Sequence, residues 1–339
     1  MTLKRWLRPH ISMVLTEINA VIAARSEPPW ARPEDDGRLR DLCGQHLSTG
    51  GKRLRALLPP ALVAAEGGDV VAASVLGACI EVLHNGTLVH DDIQDGDELR
   101  RGQPTLWRRV GAPQAINAGD VMLVAPLLVA ASSAKVPVRH RATLVALLAG
   151  AVTETIRGQV GDLDLKADEM PTLEHANGIA LAKTAPFFAA CMESAAILLD
   201  AGEDRRQAAR EIGRHVGIAF QVRDDLLDVL GVKGRGAAGA DMREGKPSWP
   251  VLAALIRGPA DEAEALQALL DRAHRGYRPT PQDVEKWLGW VQEHGGVSAA
   301  QLALDESLQS ARELAELAFP NGGAEVVAAL CARLSELDG

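Results

Sequence analysis

Two acidic clusters in this chain share one spacing: Asp91-Asp92-Ile93-Gln94-Asp95 and Asp224-Asp225-Leu226-Leu227-Asp228. Each sets carboxylates at i, i+1 and i+4, and on a helix the first and last of these share a face. Carboxylates so placed repel one another. Each cluster also closes an apolar helical run, where the helix macrodipole opposes negative charge. A bound cation removes both penalties. Oxygen donors with no His or Cys among them suit Mg²⁺, a hard ion that keeps several waters and bridges to substrate phosphates. A single cluster also reads as a solvated acidic helix end. Two copies, each ending an apolar helix, point to a metal site.

Positive charge answers these clusters in three places. Gly50-Gly51-Lys52-Arg53-Leu54-Arg55 sets two flexible glycines before three bases, an arrangement that lets backbone and guanidinium groups surround a phosphate. Arg100-Arg101-Gly102 follows the first acidic cluster, and the stretch from Gly239 to Lys246 follows the second. Any one of these bases reads equally as surface charge. Together they describe a cleft for a diphosphate and magnesium. The chain as a whole is acidic, with net charge −9 and pI near 5.5, which argues against a basic face for nucleic acid or an anionic membrane. The anion site must therefore be local.

Side chains that do such chemistry need rigid supports, and the pattern around them is helical. The period-two alternation of half-buried strands is missing, and aromatics make up only 3% of the 339 residues, too few for β-rich packing. Leu3, Leu7, Ile11, Val14 and Leu15 share one face of a first helix that stops before Ser26-Glu27-Pro28-Pro29. Glu27 to Gly37 reads as a loop, and Arg38 to Leu47 as a second helix ended by Gly50-Gly51. Val70, Ala73, Leu76, Cys79, Ile80, Leu83 and Leu88 predict a long buried helix from Asp69 to Asp92, opened by an Asp cap and ending in acid. Further helices are expected over Ala115 to Ser133, Arg139 to Leu165, Thr172 to Asp200 and Arg205 to Val229. Thr280-Pro281-Gln282-Asp283 combines a capping residue, Pro at the first helical position and an acid at the third. Gly295-Gly296 closes that helix, and Ser298 caps the next. With no internal repeat or low-complexity divider, residues 1 to 339 read as one all-α domain, a single bundle of roughly a dozen helices.

Composition bounds the remaining possibilities. Cys43, Cys79, Cys191 and Cys331 are scattered without zinc spacing and read as buried or free thiols. Met1 to Arg25 mixes Lys4, Arg5, Arg8 and Glu17 into an amphipathic segment with no apolar signal core, which predicts a cytoplasmic chain with reduced thiols. The most apolar stretch, Val121 to Ala131, is about half the length a bilayer requires and reads as a core helix with no membrane span.

In order along the chain, GGKRLR at Gly50, HNGTLVHDDIQD from His84, LRRGQPT from Leu99, GD at Gly119, GQxxDL from Gly158, KT at Lys183, FQVRDDLLD from Phe220 and GADMREGK from Gly239 resemble the trans-prenyltransferase family of polyprenyl diphosphate synthases, geranylgeranyl diphosphate synthases in particular. The resemblance runs from Gly50 to the C-terminus. It implies an isoprenoid synthase-like helical bundle around a deep central cavity, usually a homodimer, that joins isopentenyl diphosphate to an allylic diphosphate. It also implies Mg²⁺ as cofactor, three ions per active site, with Asp91, Asp95 and Asp224 as direct ligands and Asp92, Asp225 and Asp228 in support. Arg100, Lys183, Gln221 and Lys246 would then bind the allylic diphosphate, and Lys52, Arg55, His84 and Arg101 isopentenyl diphosphate, with Thr184 and Gln221 facing the carbocation. Two positions depart from the family pattern. Ala56 stands where Pro commonly follows GGKRLR, and Gly236 and Ala237 occupy the neighbourhood of a usual lysine, for which Arg235 or Lys233 could substitute.

If the allylic tail descends beside the helix that bears Asp91, then Gly86 and Thr87 form the pocket's first floor. Leu83, Val82, Cys79 and Ile80 lie one turn deeper. Short-chain members often block here with Phe or Tyr, and no aromatic lies between Asp69 and Asp91. Geranylgeranyl diphosphate is the expected product; C15 or C25 and longer products of the same chemistry are the alternatives. A terpene cyclase would usually replace the second DDxxD with an Asn/Ser/Glu motif, and a noncatalytic regulatory subunit would lack one cluster.

Overall fold

The computed structural model describes residues 2–23, 33–164, 172–231 and 238–337. In chain order the first helices are α1 (Leu3–Leu7), α2 (Ile11–Ala23), α3 (Pro33–Leu47), α4 (Leu54–Ala65) and α5 (Val70–Gln94). A two-residue antiparallel ladder, β1 (Leu99–Arg100) with β2 (Gln103–Pro104), pairs Leu99 with Pro104. Then come α6 (Leu106–Val110), α7 (Ala112–Ser132), α8 (Val138–Asp164) and α9 (Leu173–Ile179). A π-helical turn at Ala180–Thr184 leads into α10 (Ala185–Leu198), followed by α11 (Glu203–Val229). The last elements are α12 (Ala240–Arg243), α13 (Trp249–Arg257), α14 (Ala260–His274), α15 (Pro281–Glu293), α16 (Gly296–Ala318) and α17 (Gly323–Ser335). The all-α expectation holds. Interleaved segments form two compact units: Met1–Thr155, Pro186–Gly213 and Leu314–Ala329 make the first, and Ile156–Ala185, Arg214–Glu313 and Leu330–Gly339 the second.

In the first unit, α5 packs against α2, α4 and α7. The Asp69 carboxylate accepts the Val71 N–H at 3.0 Å, supplying the cap the sequence predicts. Leu76, Ile80 and Leu83 are wholly buried, each worth ~2 kcal/mol of transfer free energy. A Cβ on Gly77 would lie 2.0 Å from the Ala56 carbonyl oxygen, so only glycine allows α4 and α5 to approach this closely. In the second unit, Val251, Leu266, Leu270, Val284, Trp287 and Trp290 build a core between α13, α14 and α15. Thr280 and Asp283 form the reciprocal capping box that opens α15, with Pro281 at its first position.

Several local expectations need correction. Helix α3 begins at Pro33, inside the stretch read as a loop, because Pro at a first helical position followed by Glu34, Asp35 and Asp36 is helix-starting chemistry. A 3₁₀ turn at Arg8–His10 shifts the helical phase, so Val14, Ile18 and Val21 are buried while Ile11 and Leu15 are exposed. Gly295, with φ 73°, ends α15, but α16 starts at once, leaving Ser298 inside its first turn. Three helical stretches, α5, α7 and Leu173–Leu198, are long and apolar enough to cross a membrane by length and composition. The unbroken apolar run from Val121 to Ala131 is only part of α7, which continues N-terminally through Asp120 to Ala112 and totals 21 residues. Nor is α7 a core helix: 39% of its apolar window is buried, and Ile116, Val124 and Leu128 stay exposed along one stripe.

Candidate active site

The first unit gathers one set of predicted residues around the acidic end of α5. Asp92 is buried while Asp91 and Asp95 are half-buried. Arg100 Nε donates to Asp92 Oδ1 at 2.5 Å and its Nη2 to Asp91 Oδ2 at 3.4 Å. Burial pushes Asp92 up to about 6 despite Arg100, with Asp91 and Asp97 adding to the rise. The ladder that presents Arg100 turns through Arg101 and Gly102, both at positive φ (55° and 75°), which is the geometry of a tight hairpin. From that turn Arg101 Nη1 donates to the Gly50 carbonyl. A Cβ on Gly51 would sit 2.8 Å from the same guanidinium, so the glycine pair makes room for it.

Beside this turn, Lys52 is exposed and Arg55 lies over the Phe188 ring at 4.3 Å, a cation–π contact. The Cys191 thiol donates to the Arg55 carbonyl at 3.2 Å. His84 meets Phe187 edge-on with centroids 5.7 Å apart, and burial, reinforced by Arg55, Arg100 and Arg101, holds its imidazole well below the usual range. It is therefore neutral and able both to donate and to accept. Of the three bases in GGKRLR, Lys52 is exposed, Arg55 packs on Phe188, and Arg53, with a left-handed backbone at φ 48°, pairs with the buried Glu81. His90 pairs with Asp120 at 3.2 Å. Gly119 packs on that imidazole so closely that a Cβ would lie 2.5 Å from Nε2.

The second unit holds the other set. The π turn presents Lys183, whose Nζ donates to Asp162 Oδ2 at 2.8 Å, and Thr184, whose hydroxyl donates to Gln221 Oε1 at 3.1 Å. Gln221 in turn donates to Asp225 Oδ1 at 2.9 Å, and Asp225 Oδ2 accepts the Trp249 N–H at 2.9 Å. This relay fixes the Gln221 amide. Burial raises Asp225 to about 7, helped by Asp241 and Asp224. Asp228 spends both oxygens on backbone, accepting Ala240 N–H at 3.1 Å and Asp241 N–H at 3.2 Å, which ties α12 to the end of α11. Asp224 remains half-buried on α11. Lys246 pairs with Glu244 at 2.9 Å.

The six aspartates thus divide by environment. Asp91, Asp95 and Asp224 are half-buried, whereas Asp92, Asp225 and Asp228 are buried against protein partners. Among the described residues no three acidic, His or Cys side chains form a ready metal cage. The donors that both clusters offer are all oxygen, the chemistry of a hard divalent cation.

Residues 37–284 match the family model described as polyprenyl synthetase. The chain belongs to the polyprenyl synthetase family. Its members are prenyltransferases. A geranylgeranyl diphosphate synthase of Mycobacterium tuberculosis is 34% identical over 263 residues, covering 77% of this chain and 73% of that protein. A farnesyl diphosphate synthase of Bacillus subtilis is 36% identical over 217 residues, 62% of this chain and 73% of that one. A polyprenyl synthase from Caulobacter crescentus, solved in complex with calcium and isoprenyl diphosphate, matches with TM-score 0.80 at 27% identity over 99% of this chain and 98% of that one.

In this polyprenyl synthetase the residues predicted to line the pocket floor lie on α5. Val82, Leu83, Cys79 and Ile80 are buried, and Thr87 is half-buried. Gly86 abuts α7, where a Cβ would lie 3.0 Å from that of Met122, and the Cys79 thiol donates to the Pro126 carbonyl at 3.4 Å. Lys233, Arg235, Gly236 and Ala237, the neighbourhood of the missing lysine, lie outside the described residues. Sequence reasoning gave no role to Asp162, Phe187, Phe188, Asp241 or Trp249. Asp162 and Asp241 were within reach, since both lie inside quoted motifs.

Proposed function

We propose that this polyprenyl synthetase condenses isopentenyl diphosphate with an allylic diphosphate and releases mainly geranylgeranyl diphosphate. The observation that supports the chemistry is the division of the two aspartate clusters into half-buried and buried members. Asp91, Asp95 and Asp224 would ligate Mg²⁺, while Asp92, Asp225 and Asp228 brace the ends of α5 and α11. When bound, the ions stabilise charge on the departing diphosphate. Lys183 and Lys246 would exchange their present carboxylate partners for the allylic diphosphate's oxygens, and Arg100, still held through Nε by Asp92, would turn its Nη2 from Asp91 to the same anion. Thr184 Oγ1 and Gln221 would turn polar atoms toward the allylic cation. Lys52, Arg55, Arg101 and the neutral His84 would hold isopentenyl diphosphate. The alkene of that substrate attacks, and its proton leaves to the released diphosphate.

The C20 product is favoured because no aromatic side chain interrupts α5 ahead of Asp91. A homodimer is part of the same reading, with the exposed stripe of Ile116, Val124 and Leu128 on α7 as the face that a second copy covers. Chromatography of products from isopentenyl diphosphate plus dimethylallyl, geranyl or farnesyl diphosphate tests the proposal, with Mg²⁺ and with chelator. A dominant C15 product from the shorter primers overturns the chain-length assignment, and turnover undiminished by chelator overturns the metal assignment.

A further inference from the structure

Besides Ser74, two polar residues are buried on α5 before its acidic end: Glu81 and Asn85. Glu81 is 5% exposed and Asn85 1%. An ionised carboxylate at such depth persists only with partners, and Glu81 has two. Arg53 Nη1 donates to its Oε1 at 2.7 Å, and Asn85 Nδ2 to the same oxygen at 3.0 Å. The second arm of the Arg53 fork, Nη2, donates to the Leu47 carbonyl at the end of α3. One guanidinium therefore ties the end of α3, the start of α4 and the middle of α5.

The backbone explains why this tie is needed. Gly50, Gly51 and Arg53 all have positive φ (96°, 127° and 48°), so the segment between α3 and α4 is bent by three left-handed residues in four. Glycine adopts that conformation freely, but arginine does so only when its surroundings hold it there. Lys52 and Arg55 flank Arg53, and their direction is set by the same turn. Glu81 is also the leading opposing charge felt by Arg55, whose guanidinium burial pulls below its ordinary range.

We infer that Glu81, acting through Arg53, is the positioning residue of the isopentenyl diphosphate site: it locks the left-handed turn that aims Lys52 and Arg55. The inference deepens the proposed synthase reading and rests on it. Arg53 and Glu81 are engaged with each other, the Leu47 carbonyl and Asn85, and the role assigned to both is indirect.

Two variants test it. Glu81→Gln keeps the shape but removes the charge. The double variant Arg53→Met with Glu81→Leu removes both members of the pair together, so neither is left buried without the other, and should preserve folding. Both are expected to raise KM for isopentenyl diphosphate about tenfold or more while kcat and KM for farnesyl diphosphate stay within about twofold, a split that general destabilisation would not produce. Melting temperature identifies folded protein, and calorimetric titration with isopentenyl diphosphate measures binding without turnover. A folded double variant whose KM for isopentenyl diphosphate is unmoved, in a wild-type background that turns over, sinks this inference alone. If the wild type turns nothing over yet binds isopentenyl diphosphate, and the double variant loses that binding, the synthase reading falls and the positioning role of Glu81 stands.

Discussion

Gly158→Ala is a small change with a large expected consequence. A Cβ at position 158 would lie 2.5 Å from the Lys183 nitrogen, 2.6 Å from the Ala182 carbonyl carbon and 2.8 Å from the Lys183 Cα. Carbon rests at about 3.5–4.0 Å from such atoms, so α8 and the π turn must part by about 1 Å. All three obstacles are backbone, which cannot swing aside as a side chain can. The π turn presents Lys183 and Thr184, and the Thr184–Gln221 hydrogen bond, now 3.1 Å, would be lost. A misplacement of about 1 Å costs up to about 100-fold in rate, which is about 2.7 kcal/mol of barrier. The assay is steady-state kcat with isopentenyl and farnesyl diphosphates, alongside thermal melting. Gly150→Ala is the control: it lies in the same helix with nothing within 4 Å of its added methyl, and should gain about 1 kcal/mol of stability with unchanged kcat. A Gly158→Ala enzyme with kcat within about threefold of wild type would refute the claim that the π turn positions these groups.

Other outcomes follow from the same geometry. Thr87→Phe, at the half-buried position of the proposed pocket floor, should shift the product distribution toward shorter chains on chromatography. Phe188→Leu removes the ring beneath Arg55 and, at ~2 kcal/mol for a desolvated cation–π contact, should raise KM for isopentenyl diphosphate by about tenfold or more. Asp225 is raised to about 7 in the folded chain, so the native state retains a proton that the unfolded chain loses near pH 4. In metal-free protein, stability should fall as pH climbs from about 4 to about 7, by up to ~4 kcal/mol, and Mg²⁺ with diphosphate should flatten that slope in a series of melts. Val124→Glu, at the most exposed point of the α7 stripe, should convert the proposed homodimer to monomer on analytical ultracentrifugation.

Local signals explain which parts of this architecture are readable without coordinates. The Asp69 cap, the Thr280 capping box and the acidic ends of α5 and α11 are each written within a few residues, and each is found in place. What the sequence hides depends on distant contacts. The π turn at Ala180–Thr184 has no signature of its own and lies against Gly158, some two dozen residues earlier. Helix α4 contains Pro59 and Pro60, residues that normally argue against a helix interior. The β1–β2 ladder is too short to show alternation. Within GGKRLR, composition cannot tell the Glu81-paired Arg53 from Arg55. Glu81 was the available clue, since a carboxylate inside an apolar helix needs a buried partner.

All four cysteines are free and fully enclosed, and burial lifts Cys43 and Cys331 to about 11 and Cys79 and Cys191 further still. Only an exposed thiolate reacts with an alkylating reagent, so labelling must wait for the surrounding structure to open. Cys43, Cys79 and Cys191 belong to the first unit and Cys331 to the second. The chain therefore contains its own pair of clocks, and timed alkylation followed by mass spectrometry would read how often each half breathes in the working enzyme.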